Sequence, residues 1–195
     1  MKEQNTTMTR IGDKLTISET EAYRYVYRSL SLRKKWKRYV DETYLREHTE
    51  ECTLIYHPMW IAKVLVIADR PPFPPKKIPN MVFVDAVSGY RGVFSKIPPL
   101  QECKEMSADV VPMRIPDEDT AKKYVHDVQD KQINRSYILK KPRHEIRDIF
   151  PAYLPMWKIA VRNHVLNETF YINANTGELE THMQKRWQNG RDLLK

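Results

Sequence analysis

Tyr56-His57-Pro58-Met59-Trp60 returns as Tyr153-Leu154-Pro155-Met156-Trp157, an offset of 97 residues with four identities in five. Trp, Met and Pro all recur, which coincidence explains poorly, so the repeat organises the rest of the chain. Two further pairs keep the same order around it. Downstream, Val84-Asp85-Ala86-Val87-Ser88-Gly89 parallels Ile172-Asn173-Ala174-Asn175-Thr176-Gly177. Upstream, Ala22 with Tyr25-Val26 parallels Ala121 with Tyr124-Val125. Three features in one order predict a tandem duplication.

Each feature has a physical reading. Ser18-Glu19-Thr20-Glu21 carries a hydroxyl and a carboxylate at capping-box spacing, which starts a helix. Ala22, Tyr25, Val26 and Leu30 follow at helical spacing, and the pattern extends the helix to about Val40. Pro116-Asp117-Glu118-Asp119 gives a second helix an acidic start that suits its dipole, with Ala121, Tyr124, Val125 and Val128 as the apolar stripe. The Y-x-P-M-W segments alternate instead. Tyr153, Pro155, Trp157, Ile159 and Val161 share one strand face, as do Tyr56, Pro58, Trp60, Ala62, Val64 and Val66. Met81 to Ala86 and Thr169 to Ala174, rich in β-branched and aromatic residues, read as partner strands. Each ends in a turn where Asp85 or Asn173 accepts a backbone N–H two residues on and Gly89 or Gly177 takes a positive φ. Asn in one copy for Asp in the other suits a turn better than acid–base chemistry.

The expected fold class is α+β: two tandem αββ repeats, each an amphipathic helix packed on an antiparallel sheet. Residues 1–17 form an N-terminal extension, 18–94 the first repeat, 95–116 a Pro-containing linker, 117–183 the second repeat and 184–195 a C-terminal tail. Arg70 to Pro79 reads as a long Pro-rich loop between the first repeat's strands.

A helix followed by two strands and a hydrophobic-Asp-Ala-x-Ser/Thr-Gly turn, as at Val84–Gly89 and Ile172–Gly177, resembles the PepSY domain. The resemblance spans 18–94 and 117–183. It implies a cystatin-like arrangement of a helix on a curved antiparallel sheet and a non-catalytic binding or regulatory role.

Composition bounds the rest. With 195 residues, 41% of them hydrophobic and 30% charged, the chain has enough apolar content for a core, which excludes global disorder. The longest apolar candidate, Leu54 to Ala68, is broken by His57 and Lys63, short of the roughly 18 residues a membrane helix needs. The first ten residues lack a signal-peptide core, so a cytoplasmic location is expected. Cys52 and Cys103 are too few for a disulfide scaffold, and the six histidines show no metal-ligand spacing. Cys52 is a conceivable nucleophile without an identifiable histidine partner. The chain is expected not to be an enzyme, with no catalytic residue, metal or cofactor.

Two groups remain as candidate sites. Tyr56, Trp60, Tyr153 and Trp157 form either an aromatic ligand cleft or a core, and exposure separates the two. Arg33, Lys34, Lys35, Trp36, Lys37 and Arg38 could bind anions, with Trp36 stacking on a base or lying at a lipid interface. On a helix the same charges spread around the circumference while Trp36 turns inward. Lys140, Lys141, Arg143 and Arg147 offer a second basic cluster within a net charge of +8. Pro71-Pro72-Phe73-Pro74-Pro75-Lys76-Lys77 is either a polyproline recognition segment or a stiff loop. The expected function is a non-enzymatic binding or regulatory module that takes a protein or peptide through a sheet edge or the inter-repeat surface. The alternative is nucleic-acid or anionic-surface binding through residues 33–38.

Overall fold

In the computed structural model, which describes residues 7–36, 40–104 and 109–194, the capping box forms as its spacing predicts. Ser18 Oγ accepts the Glu21 N–H at 3.3 Å and the Glu21 carboxylate accepts the Ser18 N–H at 2.9 Å, starting α1 (Glu19–Ser29). Leu30 then adopts an extended backbone, so the helix stops well short of Val40 and α2 (Leu32–Trp36) is a separate helix. Asp41 caps α3 (Glu42–Glu47) and Asp117 caps α4 (Glu118–Val128), each carboxylate accepting a backbone N–H at 2.7 Å. The fifth helix, α5 (Thr181–Asn189), closes the set among the described residues.

The strands are β1 (Thr7–Ile11), β2 (Thr49–Arg70), β3 (Phe73–Asp85), β4 (Arg91–Val93), β5 (Leu100–Lys104), β6 (Asp109–Val110), β7 (Arg143–Arg162) and β8 (Asn167–Asn173). They form one mixed eight-stranded sheet in the order β4-β3-β2-β7-β1-β5, with β6 on β2 and β8 on β7. The fold is therefore α+β. Parts of the expected extension and linker are strands: β1 pairs antiparallel with β5 over five residue pairs, from Thr7 with Lys104 to Ile11 with Leu100. The expected Pro-rich loop is largely strand as well, with Arg70 pairing with Phe73 across the turn.

Pro79 is tolerated because of where it lies on β3. Asp85 N–H and Met81 C=O bond to the β4 side, to Tyr90 O and from Phe94 N–H. Two-residue alternation turns the missing donor of Pro79 to that same side, beyond the three residues that β4 covers. Burial also differs from the expected single face. Every residue from Ile55 to Ala62 is buried, so both faces of β2 are covered there.

The chain forms two compact units, one drawn from Met1–His57, Leu100–Val111 and Tyr153–Lys185, the other from Pro58–Pro99, Pro112–Ala152 and Arg186–Lys195. In the first, Ala22 and Val26 of α1, with Leu30 just past its end, share a core with Ile159, Val161, Phe170 and Ile172 of β7 and β8. In the second, Ala121, Tyr124, Val125 and Val128 of α4 share one with Trp60, Ala62, Val64, Val82 and Val84 of β2 and β3. The expected pairing of each helix with the hairpin that follows it is thus exchanged. Backbone bonds hold the exchange: Ile17 N–H donates to Ala174 O and Ile115 N–H to Ala86 O, both at 2.9 Å.

Both hairpin turns carry the predicted glycine in the left-handed region, Gly89 and Gly177 each at φ 77°. A Cβ on Gly89 would stand 2.7 Å from Asp192 O and 3.0 Å from the Tyr124 ring, and one on Gly177 would meet the Tyr25 ring. No helix among the described residues is long and apolar enough to cross a membrane.

Candidate functional site

The two Y-x-P-M-W segments make the same chain of hydrogen bonds. In the second unit Pro58 O accepts the Ala86 N–H at 3.1 Å, and Ile115 O accepts the Trp60 indole N–H at 2.8 Å. In the first, Pro155 O accepts the Ala174 N–H at 2.9 Å, and Ile17 O accepts the Trp157 indole N–H at 2.8 Å. Each indole therefore gives its single donor to the residue that leads its helix. Tyr56 and Trp60 are buried, at 6% exposure each, while Tyr153 and Trp157 are half-buried. Burial pushes the Tyr153 hydroxyl above its ordinary value. By the exposure criterion Tyr56 and Trp60 are packing residues.

The turns behave likewise. Asp85 accepts from Val87 N–H at 2.8 Å, Ser88 N–H at 3.1 Å, Ser88 Oγ at 2.6 Å and the Trp187 indole at 3.1 Å. Asn173 Oδ1 accepts from Asn175 and Thr176 N–H at 3.0 and 3.3 Å. A carboxylate and an amide oxygen do the same turn-holding work.

The basic run divides. Lys34 pairs with Glu168, and Lys35 donates to Arg28 O at 3.2 Å and sits 4.8 Å from the centre of the Tyr27 ring. Arg33 is exposed, and Lys37 and Arg38 lie outside the described residues. Trp36 is 86% exposed, contrary to the inward placement expected of it. The helix break at Leu30 is the reason, since the helical phase of α1 does not carry through to α2. The second basic cluster is also paired: Lys140 and Arg143 both reach Asp69, and Arg147 pairs with Glu145. Cys52 is half-buried, and burial is the main cause that pushes its thiol up, against a lowering hydrogen bond with Tyr23.

An opening that no sequence motif marks lies in the first unit. Along the outer side of β8, Asn173 N–H donates to Glu178 O at 2.9 Å and Tyr171 O accepts the Glu180 N–H at 2.8 Å. The chain then turns away into α5. By two-residue alternation Thr169 and Asn167 present their N–H and C=O to that same side, where no strand pairs with β8 among the described residues. In the second unit the matching stretch of β3 is covered, with β4 on Val82–Val84 and Phe94 N–H on Met81 O.

Beside this open edge is a cleft of about 580 Å³. Leu30, Phe170 and Leu179 give it an apolar lining, and Lys34, Glu168, Arg162 and Gln184 give it a polar one. Arg162 is fixed by bonds to Glu168 O and Thr169 Oγ1, each at 2.8 Å. Sequence held one signal for this opening. After the first turn comes the strand-forming Arg91-Gly92-Val93-Phe94, while after the second Leu179 leads at once into the helix at Thr181. Compared with protein families, curated proteins and solved structures, the chain matches none.

Proposed function

We propose that this protein is a non-enzymatic binding module that adds an extended peptide, or a strand of a partner protein, to the outer edge of β8. The observation that carries this is the contrast between the two hairpins: β3 has β4 on its edge, and β8 has none beyond Tyr171. In strand addition, main-chain bonds supply affinity and alternate side chains supply selectivity. Thr169 and Asn167 offer the main-chain groups. An apolar ligand side chain fits against Leu30, Phe170 and Leu179, and its polar neighbours meet Lys34, Glu168 and Arg162.

The matched Trp–Ile and Pro–Ala bonds support two PepSY-like, cystatin-like αββ copies whose helices have exchanged hairpins.

Thr169→Pro tests the edge. The proline removes an N–H that faces away from β7, so the β7–β8 ladder survives while the edge loses a donor. Peptides selected from a random extended library on the full chain should bind the variant about tenfold more weakly, or worse. Equal affinity for both proteins would sink the proposal.

A second reading is favoured by the exposure of α2, where Leu32 at 74% and Trp36 at 86% stand in solvent beside Arg33. Here the α2 surface binds an anion such as single-stranded nucleic acid, with Trp36 as a stacking platform. Its expected sign is salt-sensitive binding that drops about tenfold in Trp36→Ala. Undetectable binding at low salt rules it out.

A further inference from the structure

Ile138 and Leu139 are consecutive aliphatic residues, 95% and 101% exposed, in the loop between the short 3-10 turn Asn134–Ser136 and β7. Apolar groups of that size favour leaving water strongly, and two adjacent ones in full exposure mark an interaction surface. The residues that follow are cationic: Lys140, Lys141 and Arg143. Lys140 Nζ lies 2.8 Å from the Asp69 carboxylate and Arg143 lies 3.9 Å from it, which ties this loop to the end of the β2–β3 hairpin. The hydrogen bond and charge of Lys140 hold the Asp69 carboxyl below its ordinary range.

That hairpin end repeats the chemistry. Phe73, at the turn, is 67% exposed. Arg70 flanks it, held by a 2.9 Å bond to Pro74 O, and Lys76 and Lys77 follow along the strand. Three apolar side chains thus share one end of the second unit with six cations, and Asp69 is the carboxylate that two of those cations meet.

We infer that this end of the second unit, made of Ile138, Leu139 and Phe73 with their surrounding lysines and arginines, docks on an anionic lipid bilayer. Charge complementarity selects that occupant. The aliphatic and aromatic tips enter the boundary between headgroups and acyl chains, while the cations meet headgroup charges. A nucleic acid would satisfy the cations and leave Ile138 and Leu139 in water. A second copy of the chain would have to place the same cationic rim against itself. The inference stands apart from the β8 edge, which lies in the first unit.

Vesicle co-sedimentation of the full chain tests it, with phosphatidylcholine vesicles against vesicles in which about a third of the lipid is phosphatidylserine. The chain should bind the anionic vesicles, bind the neutral ones far less, and release as salt rises to about 0.5 M. Ile138→Ser with Leu139→Ser should lower binding about tenfold or more with an unchanged melting temperature, since both side chains are already exposed. Lys77→Gln and Lys141→Gln should each lower it about fivefold. Absent binding at low salt overturns the inference, as does equal binding by the double serine variant. Two further results do the same: concentration-dependent dimerisation that the serine variant abolishes, and lysine-dependent binding to polynucleotide in place of vesicles.

Discussion

Asp85→Ala is expected to cost about 3–5 kcal/mol, a large share of the roughly 5–15 kcal/mol that holds a domain of this size. The carboxylate is buried and accepts from two backbone N–H groups, the Ser88 hydroxyl and the Trp187 indole. Alanine leaves those donors without their acceptor, and each unsatisfied buried donor costs about 1–3 kcal/mol before local rearrangement recovers part of it. Asp85→Asn is the informative companion. Its side-chain oxygen can keep the two backbone bonds, as Asn173 does in the first unit, so it should cost only about 1–2 kcal/mol. Urea titration followed by circular dichroism reads both. Alanine and asparagine variants of equal stability would show that the turn bonds are not what the residue supplies.

Trp60→Ala should be about as severe, at about 3–5 kcal/mol, because it opens a cavity in the second unit's core and removes the bond to Ile115 O. Trp60→Phe keeps most of the ring volume and isolates the hydrogen bond, with an expected loss of about 1–3 kcal/mol. The same pair at Trp157 should show the same order with smaller values, since that ring is half-buried. These losses distinguish a packing residue from a ligand-contacting one. A cleft tryptophan would lower binding and leave the denaturation midpoint in place.

What could be read from sequence was whatever depends on near neighbours. The capping box at Ser18, the acidic cap of α4, its stripe of Ala121, Tyr124, Val125 and Val128, and both Asx-type turns all lie within a few residues of their partners. What escaped depends on distant ones. Nothing local says that Ile17 bonds to Ala174 rather than to Ala86, so sequence order pairs each helix with the hairpin that follows it, whereas the structure exchanges them. Met8 and Thr9 form a strand because Leu100–Lys104 arrives beside them, and their own five-residue pattern is too short to announce it. Trp36 turns outward because the helical period of α1 does not run past Leu30, where the backbone becomes extended. The candidate edge on β8 is a difference between two similar halves. It becomes visible only when the covered β3 is set beside it.

The exchange of helices and hairpins also sets an order in time. The second unit's hairpin has been made by Asp85 and its helix by Val128, so that core can begin to form while the chain is still being synthesised. Helix α1 ends at Ser29, yet its partner strand β8 is not complete until Asn173. At about 5–20 residues per second the helix waits roughly 7–30 s for the strand that buries Ala22 and Val26. Contacts over such sequence separations slow folding, because the loop must close before they return any stabilisation. Ala22 and Val26, made well before β8, are therefore among the last of these core residues to leave water, and in the interval the apolar stripe of α1 is open to chaperones and to other unfinished chains.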